Sequence, residues 1–533
     1  MKPRDYQTAA VDALFDWWGK HQGNPILSLP TGAGKSIVAA EITRRLFEQW
    51  PEHHPRTVVI VPSKELAEQN AAKLIALLPP RISVGYYSAS LGQKRHDADV
   101  IVATIGSIAK AALKLGNIRC VIIDECHLVS NKGSDVGRYR QFMSSLARVC
   151  QFRTVGMTAT PFRGNGEWLT AGDDALFTGV AHSVKVQSML DLGYLSPLVP
   201  PPSIRTCIDT SQVRITGGDY NLGDLQKAVK AHYSAIANEA VQLASERKKW
   251  IAFTVSVDGA HMLAGELEAL GVIARVVTGD TEKAERERLI AEFRSGSIRC
   301  LVTVLALATG FDVPDVDCVI WCRPTKSPVL YVQGAGRGLR PAPGKTDCLW
   351  LDFTDTTERL GAVDLVTGKY KKKGDAPYAI CPECGDRVTP ASAPLCSSCG
   401  ARMRDEKEAE APEPPKASDA PVMAAQIKPK RHEITRVTYA EHIKDGSRPT
   451  LRVEYWAGML IVAREWVCLE HAGFAGNKAK RWWGQRASRT YLPTTVNQAM
   501  EWINGGYQLQ QPKAIHVAIN GKYPEIIDYE WNK

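Results

Sequence analysis

No run of apolar residues in this chain approaches the eighteen or so that a bilayer-spanning helix needs. The opening residues, Met1-Lys2-Pro3-Arg4-Asp5-Tyr6-Gln7, have no apolar stretch of the kind that drives secretion. A cytoplasmic protein with no membrane partner is expected. No internal repeat is evident. Charge is not strongly biased either. The 66 Lys and Arg against 57 Asp and Glu leave +9, an excess compatible with nucleic acid but not diagnostic of it. Cysteine is not scarce, but most of the thirteen are scattered. Cys120, Cys300, Cys318 and Cys348 sit inside apolar, strand-like runs. They read as small buried hydrophobes of a reducing compartment, not as a disulfide framework. What remains is ordinary globular composition, 44% hydrophobic and 23% charged, over 533 residues. That length exceeds one core and suits three or four domains.

The run Leu29-Pro30-Thr31-Gly32-Ala33-Gly34-Lys35-Ser36 follows an apolar segment and precedes Ile37–Ile42, which is patterned as a helix. Strand, glycine turn and helix make the context of a phosphate-binding loop. Backbone N–H groups of Thr31, Gly32, Ala33 and Gly34 can curl round a phosphate, and the helix N-terminus adds a favourable dipole. Lys35 is placed to reach the β- and γ-phosphates of ATP, and the Ser36 hydroxyl to hold Mg²⁺. Leu29 stands where the strict pattern has its first Gly, so a chance glycine loop is the alternative. A second motif argues against chance. Val121-Ile122-Ile123-Asp124-Glu125-Cys126-His127 reads as a buried strand ending in two carboxylates. Asp124 suits a second Mg²⁺ contact, and Glu125 a general base that activates water.

Val- and Ile-rich runs alternate with helical patterns through the first 190 or so residues. The same rhythm restarts near Lys249, without a phosphate loop. Strands alternating with helices imply α/β domains with parallel sheets, and two such units suggest a nucleotide in the cleft between them. Leu195–Pro202 marks the passage between the units, since its prolines cannot continue a helix. Cys381, Cys384, Cys396 and Cys399 form C-x₂-C-x₁₁-C-x₂-C. Four thiolates at that spacing suit a closed tetrahedral Zn²⁺ site, a zinc ribbon, with disulfides as the alternative. Asp405–Lys430 is rich in Glu, Ala, Pro and Lys and is expected to be a disordered tether. Aromatic and β-branched residues then return, enough for a small α+β domain. Within it, Lys478, Lys480, Arg481 and Arg486 flank Trp482-Trp483. That is either a single-strand nucleic-acid surface of cations and stacking rings or a buried tryptophan under a solvated face.

Taken in order, these motifs resemble those of superfamily 2 helicases and translocases over roughly residues 1–360. The resemblance implies two tandem RecA-like domains, 1–190 and 191–370, then a zinc ribbon (376–402), a flexible linker (403–432) and a C-terminal DNA- or partner-binding domain (433–533). It implies that Arg4 and Gln7 read adenine. Pro62 and Ser63, Thr104, Thr281 and Thr309 would contact nucleic acid. Thr158 and Thr160, with His127, would couple hydrolysis to movement, and Asp312 would meet the ribose. Gln333, Arg337 and Arg340 belong to the segment that supplies catalytic groups from the second domain, with Arg337 and Arg340 on one face if helical. Leu339 and Cys126-His127 depart from the DEAD-box RNA helicase pattern. A closer resemblance is to the bacterial RadD family of DNA repair ATPases and their phage relatives. It is carried by Leu29–Ser36, Asp124–His127, Thr158–Arg163, Thr278–Thr281 and Gly336–Leu349. It implies a DNA-stimulated, ATP-dependent helicase or translocase of repair or recombination, acting on single-stranded or branched DNA, with single-strand-binding protein or a recombinase as partner. The alternatives are an accessory ATPase that remodels such partners with little unwinding, and the motor subunit of a restriction system.

Overall fold

The structure is a computed structural model. It describes residues 3–51, 54–88, 92–129, 134–172, 175–304, 313–368, 379–380, 387–388, 420–427, 429–443, 448–471, 473–487, 491–520 and 523–531. The chain divides into two units, Met1–Tyr370 with Glu413–Ala424, and Lys371–Pro412 with Ala425–Lys533.

Among the described residues, the first unit holds two large sheets and one small hairpin. Strands β1 (Pro25–Ser28), β2 (Arg56–Val61), β3 (Val84–Ser88), β4 (Gln93–Lys94), β5 (Val100–Thr104), β6 (Ile118–Asp124), β7 (Arg153–Thr158) and β8 (Gly179–Ser183) pair in the order β4-β3-β5-β2-β6-β7-β1-β8. Only the β3–β4 edge pair is antiparallel. Because side chains alternate across a strand, the Val/Ile runs feed two cores. Val59, Val61 and Ile122 face helices α1 (Asp5–Lys20), α2 (Lys35–Gln49) and α3 (Lys64–Leu77). Val58, Ile60 and Ile123 face the helix Ser134–Ala147. Continuous apolar strands are what a parallel sheet covered on both faces requires. The half-exposed β8 lacks that signature, so its sequence did not announce it. The pairing Ser28↔Thr158 and Asp124↔Met157 brings the carboxyl ends of β1, β6 and β7 side by side. That is the edge where such sheets bind ligands.

The second sheet comprises β9 (Leu198–Val199), β12 (Trp250–Phe253), β13 (Ala274–Val277), β14 (Cys300–Thr303), β15 (Cys318–Trp321) and β16 (Cys348–Asp352), all parallel, in the order β13-β14-β12-β15-β16-β9. A hairpin of β10 (Ile215–Thr216) and β11 (Asp219–Tyr220) stands apart. The Pro-rich passage is thus not only a connection. Leu198 and Val199 pair with Cys348 and Leu349, and the flanking prolines restrict β9 to two residues at the sheet edge. Trp321 stacks on Trp350 with ring centroids 5.5 Å apart. The helix Pro328–Ala335, capped by Ser327, lies so close to Trp321 that a Cβ at Gly334 would come within 2.3 Å of its ring.

The expected tether is corrected in part. Val422 and Met423 are buried in the first unit's core. Val363 N–H donates to the Val422 carbonyl and Ala424 N–H to Asp364 Oδ1, both at 2.8 Å. These apolar residues gain more from burial than a solvated linker offers. Residues 405–419 lie outside the described residues.

In the second unit a short antiparallel ribbon, β17 (Ala379–Ile380) and β18 (Arg387–Val388), flanks the first cysteine pair in sequence. Two antiparallel sheets follow. One is β19 (Lys430–Glu433), β23 (Pro512–Asn520) and β24 (Tyr523–Trp531). The other is β20 (Arg436–His442), β21 (Thr450–Ala457) and β22 (Leu460–Val467). Their core takes Leu451, Val453 and Tyr455 from β21, and Trp482 and Trp483 from the helix Gly473–Gly484. This decides between the two readings of Lys478–Arg486. Trp483 is fully buried against Tyr507, and Trp482 donates its indole N–H to Glu465. Arg486 is 3% exposed, its guanidinium 4.2 Å from the Trp482 ring centroid and 4.5 Å from that of Tyr529. The rings are core, Arg486 packs on them, and Lys478, Lys480 and Arg481 form a solvated face.

Candidate active site

The phosphate loop is shaped by backbone that only glycine adopts cheaply. Gly32 has φ +88° and Gly34 φ +75°. A Cβ at Gly34 would also lie 2.6 Å from Gln7 Nε2. Leu29, in place of the motif's first glycine, is buried in the core where β1 ends, and its N–H donates to the Thr158 carbonyl at 2.8 Å. The substitution therefore leaves the cradle intact. α2 begins at Lys35, so its N-terminal dipole faces the loop.

Lys35 Nζ donates to Glu125 Oε1 at 2.6 Å. Glu125 sits in the left-handed region at φ +47°, rare for a residue with a side chain. Burial raises the Glu125 carboxyl, but Lys35, His127 and Arg337 outweigh it and hold the group below the ordinary glutamate value. Burial pushes Asp124 the other way, up to about 6, against the pull of Lys35. Glu125 is thus held as a carboxylate, the form a general base requires. Ser36 Oγ donates to Asn70 Oδ1 at 2.8 Å, and Asn70 Nδ2 donates to Asp124 Oδ2 at 3.2 Å. One amide therefore holds both expected Mg²⁺ ligands. A hydroxyl and a carboxylate beside a glycine cradle are hard oxygen donors suited to Mg²⁺ with phosphate. Among the described residues, no group of three or more His, Cys, Asp and Glu side chains converges as a further metal site.

The second sheet supplies the opposite wall. Arg337 and Arg340 line a cleft of about 290 Å³ together with Thr31, Lys35, Ser36, Asn70, Asp124 and Glu125. They do not share a helix face as expected. The helix stops at Ala335, because Gly336, Gly338 and Pro341 disfavour its continuation. Lys345 instead fixes the turn, donating to the carbonyls of Gly338 and Arg340 at 2.7 Å. Gly336 abuts the phosphate loop, and a Cβ there would lie 2.7 Å from Thr31 Cβ. Gly336→Ala should therefore leave folding intact, because the cleft can open to relieve the clash. Closure would be penalised by about 1–3 kcal/mol, which lowers kcat roughly tenfold or more. Parallel measurements of kcat and Tm check this, and a normal kcat would contradict it.

A polar chain crosses the cleft. Gln333 Nε2 donates to His127 Nε2 at 2.8 Å, and His127 Nδ1 lies 2.8 Å from Thr158 Oγ1. Thr160 N–H donates to the same Thr158 hydroxyl at 3.0 Å. His127 is therefore a neutral imidazole donating through Nδ1, and burial depresses its pKa to about 4. The unfolded chain takes up this proton near pH 6.5 and the folded chain does not. Stability should accordingly fall as pH drops from about 6.5 toward 4, by up to about 3 kcal/mol from this group. Unfolding of wild type and His127→Gln between pH 7.5 and 4.5 checks this. The variant should lose less on acidification.

The remaining expected residues are placed as follows. Gln7 is buried at the phosphate loop, its Nε2 donating to the Ala33 carbonyl at 2.8 Å and its Oε1 accepting from Arg4 N–H. Arg4 lies 4.0 Å over the Tyr194 ring. Ser63, after Pro62, caps α3 by accepting from Leu66 N–H. The Thr104 hydroxyl meets Ser107, and Thr281 Oγ1 accepts from Thr278 N–H. Thr309, Asp312, Cys381, Cys384, Cys396 and Cys399 lie outside the described residues. Asn70 and Lys345 join the site without belonging to any of the expected motif positions. Asn70 had a signal, being a polar residue on the buried stripe Ala67–Ala71–Leu74 of α3. Lys345 had none, because its role depends on a turn five residues away.

Residues 1–163 match the family described as type III restriction enzyme, res subunit, and residues 231–342 the helicase conserved C-terminal domain. The chain is 28% identical over 377 residues to the putative ATP-dependent helicase IRC3 of Saccharomyces cerevisiae, covering 68% of this chain and 53% of that protein. It thus spans about half the length of the yeast relative. It is 29% identical over 389 residues to a 51.5 kDa protein of a Lactococcus phage, covering 70% of this chain and 77% of the phage protein. The structure of a putative HsdR subunit of a type I restriction enzyme from Vibrio vulnificus shares the fold, with TM-score 0.50, 20% identity, and coverage of 65% of this chain and 63% of that one. With a phosphate loop on one parallel sheet answered by arginines from a second, and with the restriction-subunit and helicase C-terminal families matching the two sheets' segments, this chain belongs to the superfamily 2 helicases of the DEAD/DEAH type.

Proposed function

We propose that this chain is an ATP- and Mg²⁺-dependent motor on DNA, stimulated by single-stranded or branched DNA and working in repair or recombination. The observation that supports it most is the Gln333–His127 bond. It ties the helix that precedes Arg337 to the loop bearing Glu125, so hydrolysis and relative movement of the sheets share one connection. Mg²⁺ on Ser36 and Asp124 would neutralise charge on the phosphate oxygens. Lys35 would transfer from Glu125 to the phosphates, which frees that carboxylate. Glu125 would then take a proton from the attacking water as the water oxygen bonds to the γ-phosphorus and the electron pair of the broken P–O bond leaves with ADP. Arg337 and Arg340 would stabilise the charge that develops. Arg4 and Gln7 would read adenine, and Asp312 the ribose. Pro62, Ser63, Thr104, Thr281 and Thr309 would hold one strand of DNA, as helix starts and hydroxyls hold phosphates.

The RadD-like motifs support the repair role, with single-strand-binding protein or a recombinase as partner. A restriction motor is the second reading, favoured by the match of residues 1–163 to a restriction subunit family. Strand-displacement and ATPase assays on forked DNA test the proposal. Hydrolysis with unwinding supports a helicase. Hydrolysis without unwinding points to translocation or partner remodelling. The cysteines would bind one Zn²⁺ per chain, and metal analysis finding zinc in wild type but not in Cys381→Ser with Cys396→Ser checks this. Zinc-free wild type would refute it.

A further inference from the structure

The β20–β21–β22 sheet has one face without an evident structural task. Alternation along β21 sends Leu451, Val453 and Tyr455 into the core and Arg452, Glu454 and Trp456 outward. Register sets Arg436 beside Trp456 and Trp466 beside Arg452, with Arg464 opposite Glu454. The outer face thus carries Trp456, Trp466 and His442 among three guanidiniums and one carboxylate. Trp466 is 51% exposed, with the His442 ring 6.4 Å away. Arg436 lies 4.1 Å over the Trp456 ring, and that indole donates to Thr438 Oγ1 at 3.0 Å, which fixes its plane. Glu454 accepts from Arg464 at 2.9 Å and lies 3.4 Å from Arg452, so the cations are oriented without being buried.

We infer that this sheet face is a second binding site for single-stranded nucleic acid, separate from the motor cleft. Aromatic faces accept bases without regard to sequence, and arginines between them meet the phosphates. Trp456 and Trp466 lie at opposite ends of the face, four β21 positions apart, or about 13 Å at the usual rise per residue. That span exceeds one nucleotide step, so it suits two unstacked bases with a nucleotide between them on an extended single strand rather than a duplex, whose bases present no free π-face. The charge also fits: three cations against one anion favour a polyanion. These are the features the sequence suggested for Lys478–Arg486, found on a different element. The site deepens the DNA reading but uses none of the motor's residues.

The test is anisotropy of labelled oligo-dT with the full chain and no nucleotide. Trp466→Ala should weaken binding about tenfold, and Trp466→Phe should retain most of it. Arg464→Ala should weaken binding and flatten its salt dependence. ATPase without DNA should be unchanged in all three. Repeating the titration in Lys35→Ala separates this site from the motor, because the same Trp466-dependent loss is expected there. Oligo-rU in place of oligo-dT shows whether RNA is also accepted, and a Trp466-dependent loss with either supports the site. Wild-type affinity in Trp466→Ala and Arg464→Ala would overturn the inference. So would tighter binding of blunt duplex than of oligo-dT.

Discussion

Arg337→Ala is expected to reduce kcat for ATP hydrolysis by about 10³-fold or more while leaving nucleotide affinity within a few-fold. Arg337 is 6% exposed, lines the cleft and acts electrostatically on Glu125. Its charge is already desolvated and aimed where negative charge grows during phosphoryl transfer, so its removal costs the transition state more than the ground state. Arg340→Ala should act in the same sense. Arg337→Lys should not restore the rate, since an ammonium lacks the planar fork. Single-turnover kinetics beside nucleotide titration separates the terms. A raised KM with normal kcat would assign Arg337 to ground-state binding.

Glu125→Gln should keep ATP binding and lose roughly 10²-fold or more in turnover, whereas Lys35→Ala should lose both together. The difference follows from the 2.6 Å pair that joins them. Removing the Lys35 ammonium takes away the phosphate contact and leaves buried Asp124 and half-buried Glu125 without their shared cation, which should also lower stability. Replacing Glu125 by its neutral isostere frees Lys35 for phosphate and removes only the base. Tm and nucleotide affinity of both variants check this. Near wild-type turnover in Glu125→Gln would show that another group activates the water.

Much of this site was legible because its chemistry is written in contiguous residues at strand ends. Thr31–Ser36 and Asp124–Glu125 need only their own strand–loop context, and the apolar runs of β2, β6 and β16 announce a buried parallel sheet. What was not legible depends on distant packing. Asn70 bridges Ser36 and Asp124 from a separate helix. Leu198 joins a sheet whose partner strand lies some 150 residues later. The helix expected to carry Arg337 and Arg340 yields to a turn held by Lys345. Composition alone left Trp482 and Trp483 open between a surface and a core role, and the packing decides for the core, since a helix on a three-stranded sheet needs large rings beneath it. The alternation Leu451-Arg452-Val453-Glu454-Tyr455 was the signal for the sheet that took them in.

In the proposed mechanism, groups from both sheets hydrolyse ATP in one cleft, and DNA promotes their closure. Steady-state hydrolysis by the full chain with Mg²⁺, with and without single-stranded DNA, tests it most directly. The expected result is Mg²⁺-dependent hydrolysis, raised by DNA in wild type, and nearly abolished with or without DNA in both Lys35→Ala and Arg337→Ala. Hydrolysis that persists in Arg337→Ala, or that DNA leaves unchanged in wild type, would contradict it.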